Sequence, residues 1–279
     1  MQHVIIPPAY IDLANQLADA AGQVIRPYFR TNAANEVKAD KSPVTIADKK
    51  AEEVMRGLIL AADPAFGIVG EEYGTENSGA DWQWILDPID GTKAFMVGKP
   101  MFGTLIGLAY QGQFVLGIID QPINNERWLG IDGQPTSFNG QAVRTSDKTA
   151  LDQAILSTTG IFYYDPPRRQ RFTNLHEQCR MTSFGGDCYS FGLLASGWID
   201  LVTEGPGMQV YDYAALVPVV RGAGGVITDW RGQDLTISSG RTPVLAAANA
   251  DLHQRALAVL QDTSADAAAN ISPNAIANA

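Results

Sequence analysis

Trp84-Ile85-Leu86-Asp87-Pro88-Ile89-Asp90-Gly91-Thr92 is the stretch that decides how this chain reads. An apolar run from Trp82 to Leu86 has the length of a short strand and leads directly into two acids. Proline fixes φ at position 88, so Asp87 and Asp90 can both turn towards one centre. The same turn exposes the carbonyl of Ile89. Gly91 and Thr92 then offer backbone N–H groups at a helix start, a place that attracts anions. Hard cations take oxygen ligands, so two carboxylates and a carbonyl beside an anion site point to a metal that holds a phosphate.

Further acids occupy similar places. Glu71 and Glu72 follow the apolar run Phe66-Gly67-Ile68-Val69. Asp212 opens a late helix ahead of Ala214-Ala215-Leu216, and Asp48 opens an early one after Pro43-Val44-Thr45. Singly, each has an ordinary explanation: a solvated Glu pair, an Asp-Pro turn, an acid at a helix start. Ligand crevices of α/β proteins lie outside strand ends, and acids in these positions converge easily on one crevice. The histidines, His3, His176 and His253, are scattered, and no GxSxG, HExxH, Walker A or GxGxxG pattern occurs.

The rest of the chain supplies a scaffold. Residues 9–30 and 46–62 have the spacing of amphipathic helices, with a polar loop over 31–42 between them. Thr104 to Tyr110 and Phe114 to Ile119 read as an antiparallel hairpin. From Ala154 onward strands and helices alternate, with helices expected at Arg168 to Cys179, Cys188 to Ser196, Tyr211 to Gly222 and Leu252 to Leu260. The division expected is an α+β lobe over 1–145, an α/β lobe over 146–261 and a frayed tail over 262–279. The sequon at Asn270-Ile271-Ser272 reads as chance without a secretion signal.

Composition narrows the function. A hydrophobic share of 46% is enough for a substantial core. The net charge of −10 argues against a general nucleic-acid binder. Cys179 and Cys188 fit reduced thiols, and no run is long enough to cross a bilayer, so a cytoplasmic location is expected.

These residues resemble the inositol monophosphatase family of Mg²⁺-dependent phosphatases. Trp84 to Thr92 looks like its first signature. Tyr211-Asp212-Tyr213-Ala214-Ala215, followed by Gly222-Ala223-Gly224-Gly225, looks like its second. Gly70-Glu71-Glu72 and Lys41-Ser42-Pro43-Val44-Thr45-Ile46-Ala47-Asp48 match two upstream elements, so the likeness covers about residues 9–260. It implies a mixed α/β fold, layered α-β-α-β-α, and a homodimer. It also implies that Glu71, Asp87, the Ile89 carbonyl, Asp90 and Asp212 hold two or three Mg²⁺ ions. Gly91 and Thr92 would receive the phosphate, Thr92 with Asp48 would activate the attacking water, and Lys41 would sit in a mobile loop. The family also implies inhibition by lithium.

Within the family, the run Asp90-Gly91-Thr92-Lys93-Ala94-Phe95 and the segment Phe184-Gly185-Gly186-Asp187 are similar to the histidinol-phosphate phosphatase subgroup. Asp187 stands where inositol phosphatases carry a small residue. An acid there could pair with the ammonium of L-histidinol phosphate or accept from its imidazole. Glu204 is a second candidate for that pocket, beside Asp90 and Asp212. The alternative role for Asp187 is an N-cap of the helix at Cys188. The activity implied is hydrolysis of L-histidinol phosphate in histidine biosynthesis. The alternative is an inositol-1-monophosphatase or a broader sugar-alcohol phosphatase.

Overall fold

Pro8 opens the first helix, α1 (Pro8–Ile25), where a missing N–H breaks no helical bond. The computed structural model describes residues 4–31, 35–37 and 43–262, with backbone alone at 35–37 and 43–45. Lys41, the sequon at 270–272 and the tail beyond 262 therefore lie outside the described residues. The segment expected to be a loop over 31–42 contains a short strand, β1 (Asn35–Val37), which pairs antiparallel with β2 (Pro43–Thr45) just after it. Helix α2 (Ile46–Ala62) follows at once, with the bounds its periodicity gives.

Next come β3 (Gly67–Gly70), β4 (Gly74–Glu76), β5 (Trp82–Asp90), α3 (Thr92–Met96), β6 (Gly103–Tyr110), β7 (Gln113–Gln121) and β8 (Glu126–Ile131). Two short strands, β9 (Ser137–Phe138) and β10 (Gln141–Ala142), complete an eight-stranded sheet. Its order is β10-β9-β8-β7-β6-β5-β3-β4, antiparallel except between β3 and β5.

The second half contains β11 (Ile155–Thr158), α4 (Pro166–His176), β12 (Met181–Phe184), α5 (Asp187–Ala195) and β13 (Leu201–Met208). It continues through α6 (Val210–Tyr213), α7 (Leu216–Gly222), β14 (Val226–Asp229), β15 (Thr242–Ala247) and α8 (Ala250–Gln261). The five strands form a second sheet in the order β12-β11-β13-β15-β14.

The layers run α-β-α-β-α. Helices α1 and α2 pack on each other and on the outer face of the larger sheet. Helices α5 and α7 fill the space between the sheets, and α4 with α8 covers the far face of the smaller one. Among the described residues three apolar cores result, one under each helical layer, and the central one touches both sheets. Among the described residues no helix is long and apolar enough to cross a membrane.

A row of glycines sets the depth of the central layer. Gly107, Gly117 and Gly130 are cross-strand neighbours on β6, β7 and β8. A Cβ on any of them would collide with Ala214, Ala215 or Pro218 in the α6–α7 segment. The helices therefore rest directly on sheet backbone, which carries Asp212 towards the end of β5. The single helix expected over Tyr211 to Gly222 is two helices, α6 and α7. Pro218 explains the break, because it sits in the first turn of α7, where its missing N–H breaks no bond.

Candidate active site

Strand β5 ends in a bulge. Asp87 lies opposite Leu105 and Asp90 opposite Gly103, so three steps on β5 match two on β6. Residues three apart on a regular strand face opposite ways, and one extra residue returns them to the same side. Pro88 sits within the bulge, and its carbonyl accepts from Thr104 Oγ1 at 2.8 Å. The Ile89 N–H donates to Asp87 Oδ1 at 3.1 Å, and the Ile89 carbonyl accepts from Thr92 Oγ1 at 3.1 Å. Gly91 follows with φ +88°, the left-handed conformation that favours glycine.

Three other elements bring acids to this bulge. One carboxylate oxygen from each of Asp48, Glu71 and Asp87 lies within 4.8 Å of the others. Asp87, Asp90 and Asp212 form a second group of the same size, so Asp87 belongs to both. Asp48 comes from the first turn of α2, Glu71 from the residue after β3, and Asp212 from α6. A reciprocal capping box between Asp212 and Gln209 orients Asp212, whose Oδ2 accepts the Gln209 N–H at 2.6 Å. The Cys188 N–H, at the start of α5, holds Asp90 Oδ2 at 2.6 Å.

The electrostatics of these groups favour a cation. Burial, then the charges of Glu71, Asp90, Asp212 and Asp48, push the Asp87 carboxyl well above its ordinary range. Burial and the neighbouring Asp187 and Asp212 do the same to Asp90. Asp212 is pushed up to about 7, chiefly by burial. Each shift registers the free energy of burying and crowding negative charge, which a divalent cation would relieve. The donors are all oxygen, while His253 lies away from them, bonded to Thr228. The set fits a hard divalent ion such as Mg²⁺.

A cavity of about 170 Å³ opens from the second group of acids and is lined by Asp90, Asp212, Asp187, Glu204, Thr159 and Tyr163. Asp187 and Glu204 meet on Thr159. Its Oγ1 donates to Glu204 Oε1 at 2.9 Å and lies 3.2 Å from Asp187 Oδ1, and its N–H reaches Glu204 at 2.7 Å. Burial lifts Glu204 to about 8 and Asp187 to about 6. Asp187 is the first residue of α5 and does not cap it; Gly186 occupies the N-cap position. Its carboxylate instead turns to Thr159 and would lie only 2.9 Å from a Cβ on Gly91.

Sequence reasoning missed Thr159 and Tyr163. Thr159 directly follows β11, so the strand-end rule that found Glu71 could have found it. Nothing local marks Tyr163, which lies in the 3-10 turn Ile161–Tyr163. Lys93 reaches across to it, with Nζ 3.0 Å from Tyr163 Oη and 4.1 Å from the ring centre. Arg168 and Arg169 lie on α4. Arg169 donates to the carbonyls of Ile161 and Tyr164 and so braces the turn that carries Tyr163.

The chain matches the model of the inositol monophosphatase family over residues 9–265. It is 45% identical to the Bifunctional phosphatase IMPL2, chloroplastic, of Arabidopsis thaliana, over 89% of this chain and 74% of that one. A Histidinol-phosphatase of Chlorobaculum parvum is 35% identical, covering 81% and 88% of the two chains. The solved structure of an inositol monophosphatase from Zymomonas mobilis is 45% identical, with a TM-score of 0.83 over 91% of this chain and 98% of that one.

Proposed function

The chain belongs to the inositol monophosphatase family, and from that premise we propose that this phosphatase hydrolyses L-histidinol phosphate to L-histidinol and phosphate in histidine biosynthesis, with Mg²⁺ bound by the acids around Asp87. The observation that carries the reading is the Asp187–Thr159–Glu204 cluster beside those acids. A buried carboxyl lifted to about 8 gains most from a ligand that brings positive charge. Histidinol phosphate presents an ammonium and an imidazole to that end of the cavity. A polyol presents only hydroxyls.

Glu71, Asp87, the Ile89 carbonyl, Asp90 and Asp212 hold the cation in this reading. When bound, it supplies positive charge to the phosphate and the leaving oxygen and raises the acidity of water. The chain's residues do the rest. The backbone N–H groups of Gly91 and Thr92 hold phosphate oxygens. Thr92 Oγ1 orients a water in line with the ester bond and takes its proton, while its own hydroxyl proton, given to the Ile89 carbonyl at rest, turns to Asp48. The phosphorus–oxygen bond to the alcohol breaks as the bond to the water oxygen forms. The alcohol oxygen then takes up a proton.

A second reading is an inositol-1-monophosphatase, because Glu204 and Asp212 also offer acceptors to hydroxyls and the Zymomonas protein carries that name. Parallel assays of phosphate release from L-histidinol phosphate and inositol 1-phosphate separate the two. The proposal expects kcat/KM to favour histidinol phosphate by more than about tenfold, the equivalent of ~1.4 kcal/mol. A clear preference for inositol phosphate contradicts it.

A further inference from the structure

Glu52 has 0% exposure, yet it belongs to neither acid group. It lies on α2 one turn after Asp48, about 6 Å further along the same face. Its Oε2 accepts the Glu72 N–H at 2.7 Å, and its Oε1 accepts the Tyr73 N–H at 3.2 Å. Arg56 donates to Oε1 at 2.8 Å, one turn further on. The same guanidinium continues to the Gly74 carbonyl and lies 3.5 Å from Glu76. A Cβ on Gly70 would overlap the Glu52 carboxylate, so glycine at position 70 makes room for it.

We propose that Glu52, backed by Arg56, is the positioning residue that fixes Glu71 relative to Asp48 and thereby sets the affinity of the site for its divalent cation. The inference rests on the reading of Asp48, Glu71 and Asp87 as cation ligands. On its leading side, Glu71 is anchored by its N–H to the Leu86 carbonyl at 3.2 Å. Beyond it the chain turns from β3 into β4, an exposed edge strand. Glu52 ties down the next two N–H groups of that turn. Helix α2 thus acts as a ruler: one acid goes to the cation, and the acid one turn later holds the backbone of a second ligand. A buried carboxylate is unfavourable unless paired, and Arg56 provides the pair while gripping the same loop. Groups that orient metal ligands change affinity about 10- to 100-fold when lost.

The test compares Mn²⁺ dissociation constants, from titration calorimetry on the metal-free full chain, for the wild type, Glu52→Gln and Glu71→Gln. Circular dichroism at the same temperature establishes that each is folded. Glu52→Gln puts an amide NH₂ towards N–H groups. It is expected to weaken Mn²⁺ about tenfold or more, while kcat at saturating metal stays within about threefold of wild type. Glu71→Gln is expected to lower both. If Glu52→Gln does not fold, Arg56→Lys decides instead, with a smaller loss of affinity in the same direction. Unchanged Mn²⁺ affinity in a folded Glu52 or Arg56 variant overturns the positioning role. Unchanged affinity in Glu71→Gln overturns the ligand reading beneath it as well.

Discussion

Two of the regions that bury carboxylates treat them in opposite ways. Near the groove between α1 and β7–β9, Asp120 is held by Arg127 Nε at 2.7 Å, and the same guanidinium reaches Asp19 and Asn15. Burial raises the Asp120 carboxyl above its ordinary range, and the charge of Arg127 opposes that rise. That groove is larger than the cavity at the candidate site, about 410 Å³, but its buried acid is already neutralised by the chain. Around Asp87, burial and four neighbouring acids all push the same way. Where the chain provides the opposing charge, the acid is structural. Where acids are gathered against one another, an external cation explains the arrangement.

Removing one acid from each region should break the comparison most sharply. Asp90→Asn should lower kcat/KM about 10³-fold or more, because a ligand contributing several kcal/mol of charge stabilisation is lost. Its metal-free melting temperature should hold or rise, because repulsion is relieved. Asp120→Asn should do the reverse: activity within about twofold, and a loss of about 2–3 kcal/mol from leaving a half-buried Arg127 short of a partner. Phosphate release and thermal melts on both variants check this.

Saturating Mg²⁺ at about 100 times its dissociation constant should stabilise the wild type by about 2.7 kcal/mol, and Asp120→Asn by the same amount. Asp90→Asn should gain far less. Melts with Mg²⁺ and with EDTA measure it.

At the leaving-group end, Thr159→Val removes the hydroxyl that lies between Asp187 and Glu204, leaves the backbone N–H on Glu204, and should lower kcat/KM for L-histidinol phosphate about tenfold, through ~1.4 kcal/mol. Glycerol 2-phosphate, which lacks a cation, should be affected much less. Equal losses on both esters would mean that the cluster does not read the alcohol.

The smallest effect is on pH dependence. Asp212 has a folded-state pKa of about 7, above its ordinary carboxylate value. The folded metal-free protein therefore binds more protons than the unfolded chain between those values, and stability falls as pH rises through that window. Metal-free wild type should melt higher at about pH 5 than at about pH 7.5. Asp212→Asn should show a shallower slope, and an unchanged slope would remove Asp212 as the source.

Much of this site was legible because its residues announce themselves locally. Asp87 to Thr92 combines strand end, proline and glycine within a few positions, and α2 is bounded by Pro43 on one side and Asp63-Pro64 on the other. The bulge itself was not legible, because it exists only in the register with β6. The glycines at 107, 117 and 130 look like separate strand interruptions until the sheet lines them up under Ala214, Ala215 and Pro218. Strand β12 was missed because its Met-Thr-Ser-Phe has little alternation and lies at a sheet edge. Glu52 read as one more acid on a helix, since its partners are backbone N–H groups twenty residues away.

The central claim is that the acids around Asp87 hold the cation that drives hydrolysis. It is tested most directly by titrating Mg²⁺ into metal-free wild type, Asp87→Asn and Asp120→Asn while following phosphate release from L-histidinol phosphate. The account predicts no release without the cation, the same saturable rise in wild type and Asp120→Asn, and almost none in Asp87→Asn. Metal-independent release, or a wild-type Mg²⁺ response in Asp87→Asn, would contradict it.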